Sequence, residues 1–325
     1  MDIVDRAAQS ALDRYDLRGA RIEQRYAGEC NVVYRVSAGA LGEFALRVST
    51  YRYLRGTDVE SDRAEIAAEL HWLSALRHDT DIRAPVPLAA RDGSLVQGIA
   101  DPATGRARLC VLLSWVAGEE VETLTDDHLR RIGVVIARLH DHALRFAQDG
   151  HAQRPTNDWT RLAPDIHRAL GEATWVADGD GETIRAAADK LATTVAAMPR
   201  GEQFSLIHAD VQRRNVRFVG ADIGVFDFDE CVLGFHVADI AKPLINLPLG
   251  RERDSQRDAL FSGYQSVRAL PEACSQRIES IRFAYRQLVP MAWALNEPNR
   301  AMGAENTDIL AAQVRACREY LRADV

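Results

Sequence analysis

Cysteine is scarce and scattered in this chain: five residues in 325, at Cys30, Cys110, Cys231, Cys274 and Cys317, with no C-x-x-C pair. Such spacing offers neither the paired thiolates of a structural zinc site nor a disulfide framework, so reduced, mostly buried thiols are expected. A basic surplus is missing as well. The 40 Lys and Arg face 47 Asp and Glu, a net charge of -7, which excludes a general nucleic-acid binder because that affinity needs clustered cations to displace counterions. Long apolar runs are also absent: the longest, near residues 109–117, is too short to span a bilayer, and the start M-D-I-V-D-R-A-A-Q-S lacks the basic and apolar regions of a secretory leader. A cytoplasmic protein without membrane partners is expected. No internal repeat, low-complexity tract or heptad array occurs. What remains is ordinary globular composition, 47% hydrophobic and 27% charged, in a chain long enough for two domains.

Chemistry is densest between Ile207 and Asp239. Asp210 and Asn215 lie five apart on a polar loop, and a short apolar strand (Ile223, Val225, Phe226) delivers Asp227 at its end. Spacing of this kind suits phosphoryl transfer: one carboxylate takes the proton of an attacking hydroxyl, while an amide oxygen and a second carboxylate hold a metal against nucleotide phosphates. A lone D-x4-N is more often a pair of turn residues bonding their own backbone. Here a His two residues before the Asp, the D-F-D strand end and a helix opening with Asp239 all coincide.

These residues, His208-Ala209-Asp210-Val211-Gln212-Arg213-Arg214-Asn215 followed by Phe226-Asp227-Phe228-Asp229, resemble the aminoglycoside phosphotransferase and choline kinase family, whose loop reads H-G-D-L-H-x-x-N and then I-D-[FW]-x-D. The same frame occurs in protein kinases as H-R-D-x-x-x-x-N and D-F-G. The resemblance implies that Asp210 is the catalytic base, that Asn215 and Asp227 are magnesium ligands, and that Asp239 in D-I-A braces the catalytic loop from below. One departure stands out. Gln212 occupies the place of a family His or a protein-kinase Lys, so it donates a hydrogen bond but supplies no charge, and whether Arg213 or Arg214 replaces that charge stays open.

The rest of the chain is consistent with that frame. Residues 2–15 show helical spacing of apolar positions, and Ile22–Tyr26, Val32–Ser37 and Phe44–Ser49 read as antiparallel strands separated by Gly28, Gly39 and Gly42. Gly28-Glu29-Cys30-Asn31 resembles the family's G-x-x-N loop, in which Gly28 would let the backbone approach phosphates with open N–H donors; an ordinary hairpin is the plain alternative. Arg47 stands where kinases carry a phosphate-contacting strand lysine. On the helix of 61–77, Glu69 lies on the apolar stripe and needs a partner there, since an unpaired buried carboxylate is costly; Arg47 is the candidate, with Glu65 competing for it. Val111–Gly118 resembles the family's hinge, with main-chain groups from Ser114 to Val116 bonding a base edge and Gly118 letting the second lobe swing. A core helix capped by Thr125 runs to Leu139-His140-Asp141-His142, whose i, i+2 histidines face different ways and exclude a joint metal site.

Residues 148–182 read as irregular, with Asp178-Gly179-Asp180-Gly181 a polar link rather than a calcium loop. Helices are expected at 251–267, 272–295 and 308–322, with Trp293, Asn296 and Glu297 at a pocket-lining helix end. The fold expected is α+β, protein-kinase-like and bilobal: an N-terminal nucleotide-binding lobe (1–117) with a small antiparallel sheet, and a mostly helical catalytic and acceptor-binding lobe (118–325). The resemblance implies magnesium-dependent transfer of the γ-phosphoryl of ATP or GTP to a hydroxyl of a small molecule, with Gly28, Asn31, Arg47, Glu69, Ser114 and Val116 on the nucleotide. Acid excess after residue 117, partly at Glu119, Glu120, Glu122, Asp126 and Asp127, favours a cationic acceptor such as an amino alcohol or aminoglycoside. A homoserine-type kinase, a protein Ser/Thr kinase and a non-catalytic nucleotide-binding scaffold are the alternatives. Oligomeric state is not legible.

Overall fold

The computed structural model describes residues 2–28, 31–50, 58–101, 105–146, 154–157, 159–173, 175–246, 251–270, 272–296 and 304–323. The backbone divides into two compact units. One comprises Met1–Glu122, Arg145–Pro155 and Arg214–Cys231; the other comprises Thr123–Leu144, Thr156–Arg213 and Val232–Val325.

The first unit is built on the β-branched and aromatic runs that favour pleated backbone. Strands β1 (Arg21–Ala27), β2 (Asn31–Ser37), β3 (Glu43–Ser49), β4 (Pro87–Leu88), β5 (Gln97–Ala100) and β6 (Ala107–Ser114) form an antiparallel sheet in the order β1-β2-β3-β6-β4, with β5 also on β6. Strand periodicity sorts the side chains. Val32, Tyr34 and Val36 of β2 and Phe44, Leu46 and Val48 of β3 join one buried cluster with Ala7, Ala8, Ala11 and Leu12 of helix α1 (Ile3–Leu12). That helix begins at a reciprocal cap, in which Asp2 and Asp5 side chains each accept from the other's backbone N–H. On the alternate positions of β3, Arg47 is directed toward helix α2 (Val59–Asp79), whose buried stripe is Glu69, Trp72, Leu73 and Leu76. The unit also holds the hairpin β8 (Val216–Val219) and β9 (Asp222–Val225), turned at Gly220 with φ 57°.

Among the described residues the second unit is helical apart from one antiparallel strand pair, β7 (Phe204–Ile207) with β10 (Val232–Phe235). Its helices are α3 (Asp126–Arg145), α4 (Leu162–Glu172), α5 (Asp178–Ala196), α6 (His236–Ala241), α7 (Arg251–Gln265), α8 (Glu272–Phe283), α9 (Val289–Asn296) and α10 (Ala304–Arg322). Thr125 starts α3 as expected, its hydroxyl accepting from the His128 N–H while His128 Nδ1 accepts from the Thr125 N–H. Where α3 and α7 cross, glycine is obligatory: a β-carbon on Gly133 would meet the Leu260 carbonyl, and one on Gly263 the Arg130 carbonyl.

Two expectations are corrected. Residues 148–182 are not uniformly irregular, since α4 occupies 162–172 and Asp178-Gly179-Asp180-Gly181 is the first turn of α5, where acids complement the helix dipole. The helix expected over 272–295 is broken by a single π turn, Ala284–Leu288. Pro290 lies just beyond; it lacks an N–H and its ring crowds the carbonyl four residues back, so a regular α-turn cannot close there. Among the described residues no helix is long and apolar enough to cross a membrane. Cys110, Cys231 and Cys317 are free and buried, and burial pushes each thiol up to about 12, so they stay protonated and inert.

Candidate active site

In the first unit Arg47 and Glu69 form a two-pronged pair, Nη1 to Oε1 at 2.8 Å and Nη2 to Oε2 at 2.7 Å. Both are buried. Burial opposes the charge on Arg47, but Glu69 beside it, helped by Asp229 and Asp227, holds the guanidinium firmly protonated. Glu65, the competing partner, contributes only its main-chain carbonyl, which accepts from Arg154 Nη1 at 3.1 Å. One turn along α2 from Glu69, the Trp72 ring meets Phe228 edge-on, centroids 5.3 Å apart. The helix that carries Glu69 is therefore packed directly on the D-F-D segment.

That segment is held from two more directions. Asn31 Nδ2 donates to Asp229 Oδ2 at 2.8 Å, joining the start of β2 to it. Arg154 donates to the main-chain carbonyls of Asp229 (2.7 Å) and Cys231 (2.6 Å) besides that of Glu65. Asn215 and Asp227 are brought together by the hairpin register. Val216 pairs with Val225, and the Phe226 N–H donates to the Asn215 carbonyl at 3.0 Å, so the two residues flank neighbouring strand ends. Asp227 is in the left-handed region, φ 71° and ψ 61°, a conformation uncommon for a residue with a side chain and frequent where function dictates geometry.

In the second unit the loop after β7 is hung on Asp239. Its carboxylate accepts from the His208 N–H (3.0 Å), the Ala209 N–H (2.6 Å) and His140 Nε2 (3.0 Å). An ionised carboxylate only accepts, so His140 donates through Nε2, and its Nδ1 takes the Tyr264 hydroxyl at 3.0 Å. Burial alone would raise the Asp239 carboxyl, yet the His140 bond and the backbone donors keep it below the usual range; burial pushes His140 down, and it stays neutral. The brace expected of Asp239 is thus a complete hydrogen-bond network. Ala209, where the family has Gly, takes φ 67°.

Asp210, next in the loop, is buried. Its Oδ1 accepts from Gln212 Nε2 at 2.6 Å and forms an ion pair with Lys242 Nζ at 2.8 Å. Burial pulls its carboxyl up, but the Lys242 charge and hydrogen bond, with Gln212, hold it below the ordinary value. Lys242 was not singled out in the sequence, where it follows D-I-A as one more surface-type cation. One signal is its place one helical turn after Asp239, which shares a face with it.

Several expected roles need correction. The Gly28 N–H is not open for a phosphate, because it closes the hairpin on the Asn31 carbonyl at 2.9 Å, and a β-carbon at 28 would lie 2.9 Å from that same oxygen. Ser114 has no N–H to offer a base edge: it donates to Val86 at 2.8 Å while its hydroxyl accepts from the Val86 N–H, and the Trp115 N–H is bonded to Glu43. Gly118, φ 145°, marks a close approach to β8 rather than a pivot, since Glu119 exchanges two hydrogen bonds with Phe218. The acids past it are partly neutralised on the spot: Glu120 pairs with Arg217, Asp127 with Arg131, and Asp126 accepts from Ser255. Glu297 and the side chains of Trp293 and Asn296 lie outside the described residues.

The donor set at Asn215 and Asp227 is an amide oxygen and a carboxylate, hard ligands of the kind magnesium uses when phosphates and waters complete its shell. Among the described residues no group of three or more His, Cys, Asp and Glu side chains forms a metal cage, and a metal shared with nucleotide phosphates requires none.

A sheet carrying a buried Arg–Glu pair, a braced H-A-D loop and a D-F-D strand end define a kinase-like α+β fold. The chain belongs to the phosphotransferase enzyme family, whose model matches residues 21–275. It superposes on the microcompartment-associated aminopropanol kinase with a TM-score of 0.78 and 28% identity, covering 98% of this chain and 97% of that one. The amicoumacin kinase hAmiN, solved with AMP-PNP, Ca2+ and Ami, shares the fold at a TM-score of 0.77 and 18% identity over 97% and 93% of the two chains. A homoserine kinase from Xanthobacter autotrophicus is 30% identical over 228 residues, 67% of this chain and 66% of that enzyme. The chain spans 57% and 66% of the length of the first two curated relatives it matches.

Proposed function

We propose that the protein transfers the γ-phosphoryl group of ATP, with GTP as the other donor to be tried, to a hydroxyl of a small amine-bearing alcohol. The observation that carries this is the presentation of Asp210: an ionised, buried carboxylate on a loop whose preceding two residues are bonded to Asp239. Asp210 takes the acceptor's hydroxyl proton as the new O–P bond forms and the bridging bond to the leaving ADP breaks. Asn215 and Asp227 would hold magnesium, which when bound supplies neutralisation of the phosphate oxygens. Arg47, fixed by Glu69, would contact the phosphates, while Asn31 ties the start of β2 to Asp229. A main-chain donor to the base edge has to come from Val116 onward, because the amides of Ser114 and Trp115 are spent. Functionally, residues 1–117 serve the nucleotide and 118–325 the base and acceptor.

The acceptor class is supported by the relatives more than by the acids past residue 118. Homoserine and aminopropanol both join an amine to a hydroxyl, whereas much of the acidic cluster is paired locally. The test is ADP release from ATP and magnesium with 1-amino-2-propanol, homoserine, a neutral diol and an anionic hydroxy acid. Turnover should favour the amines, and Asp210→Asn should lower kcat by roughly two to four decades with nucleotide affinity retained. A variant that kept wild-type kcat would remove Asp210 from the mechanism.

A further inference from the structure

The charge missing at Gln212 is present in the structure, but it comes from another element. Lys242 follows α6 directly and pairs with Asp210 Oδ1 at 2.8 Å, on the same oxygen that Gln212 holds at 2.6 Å. An sp² oxygen has two in-plane lone pairs, and both are engaged. Lys242 is itself fixed: its ammonium lies 4.5 Å over the ring of Tyr285, and that ring meets Trp159 edge-on with centroids 4.8 Å apart. Tyr285 belongs to the π turn between α8 and α9, so the irregularity before Pro290 places the ring under the lysine. Asp239 and Lys242 are three residues apart. One turn of chain therefore holds the catalytic loop twice, by its backbone through Asp239 and by its carboxylate through Lys242.

Composition makes the choice of residue informative. Of the chain's 40 basic side chains only two are lysines, Lys190 and Lys242; all others are arginine. Lys190 also sits over a tyrosine, 4.9 Å from the Tyr320 ring, with its ammonium on the main-chain carbonyls of Tyr320 and Ala323. Both sites ask for a compact point charge between an oxygen and an aromatic face, where the broad guanidinium fork has a different shape and bonding pattern.

We propose that Lys242 is the positioning residue of the base: it supplies, from the residue just after α6, the positive charge that Gln212 lacks and holds the Asp210 carboxylate by Oδ1. This rests on the phosphotransferase reading above. A carboxylate turned away from its attacking hydroxyl by about 1 Å is expected to cost up to a hundredfold in rate, with little effect on the nucleotide.

The experiment measures ADP release with ATP, magnesium and either 1-amino-2-propanol or homoserine, alongside thermal melts. Lys242→Met and Lys242→Gln should each lower kcat roughly tenfold to a hundredfold while nucleotide KM stays within about threefold. Adding Gln212→Lys to Lys242→Met, which returns a cation to the same carboxylate from the loop side, should regain at least about tenfold. A merely structural lysine would lower the melting temperature without rescue by a charge at 212. Either single variant keeping kcat within about twofold of wild type, or a double variant as slow as the single one, would overturn the proposal. If the wild-type protein released no ADP with either acceptor, the phosphotransferase reading would fall first and this proposal with it.

Discussion

Ala209 carries a cost that its neighbours offset. An L-residue with a β-carbon at φ 67° is disfavoured by about 1–2 kcal/mol, and the Asp239 carboxylate holds the peptide there through the 2.6 Å bond to its N–H. Glycine would relieve the steric cost and give back part of it as unfolded-chain entropy. Ala209→Gly should therefore stabilise the protein by up to about 1 kcal/mol, seen as a higher denaturant midpoint with unchanged slope; a destabilised variant would mean that the backbone at 209 is not left-handed in solution. Asp239→Ala should do the reverse, because two loop N–H groups and His140 lose their acceptor together. The sequence made Asp239 legible through its D-I-A context, yet nothing in an alanine announces a positive φ. The choice of Glu69 over Glu65 was legible too, from its place on the apolar stripe of α2.

Among elements, the short segment that carries Arg154 joins α2 to the D-F-D turn. Its guanidinium serves three carbonyls, of Glu65 in α2 and of Asp229 and Cys231 around the D-F-D turn. Arg154→Met keeps much of the side-chain volume and leaves those carbonyls without their donor, so a loss of about 2–4 kcal/mol is expected. Calorimetry should show weaker magnesium–nucleotide binding than in the wild type; equal melting and binding would show that the α2 contact survives without it. No pattern in the sequence foretold this residue, because its partners are main-chain oxygens that every residue possesses. Alanine hid α4 and α5 in the same way. Positions 163, 166, 169 and 170 repeat at helical spacing, but two of those four are alanines, and glycines at 179 and 181 read as breakers although a helix's first turn tolerates them. Strands fared better, since alternation in β2 and β3 is carried by large side chains on one face.

For the whole molecule, the buried histidines make stability sensitive to acid. His140 and His236 are stacked with centroids 4.0 Å apart, both buried. Burial drives both below the ordinary histidine value, with His140 adding to the effect on His236. In the unfolded chain they bind protons near pH 6.5, while the folded protein refuses them. The unfolded state then holds more protons, stability rises with pH through this range, and acidification below about pH 6.5 erodes it. Asp239, held below its usual value, extends the same trend below about pH 4. Melting temperature should fall between pH 7.5 and 5, and His236→Gln should flatten that slope; a pH-independent midpoint would show that the pair takes up protons when folded. The crossing of α3 and α7 has a different consequence, for heredity and for engineering. The space denied to a β-carbon at Gly133 is filled by main chain of α7, and that at Gly263 by main chain of α3. No side-chain change elsewhere can make room at either one. A library randomised over both helices and selected for folded protein will return glycine at 133 and 263 together, whatever else it discovers about the acceptor.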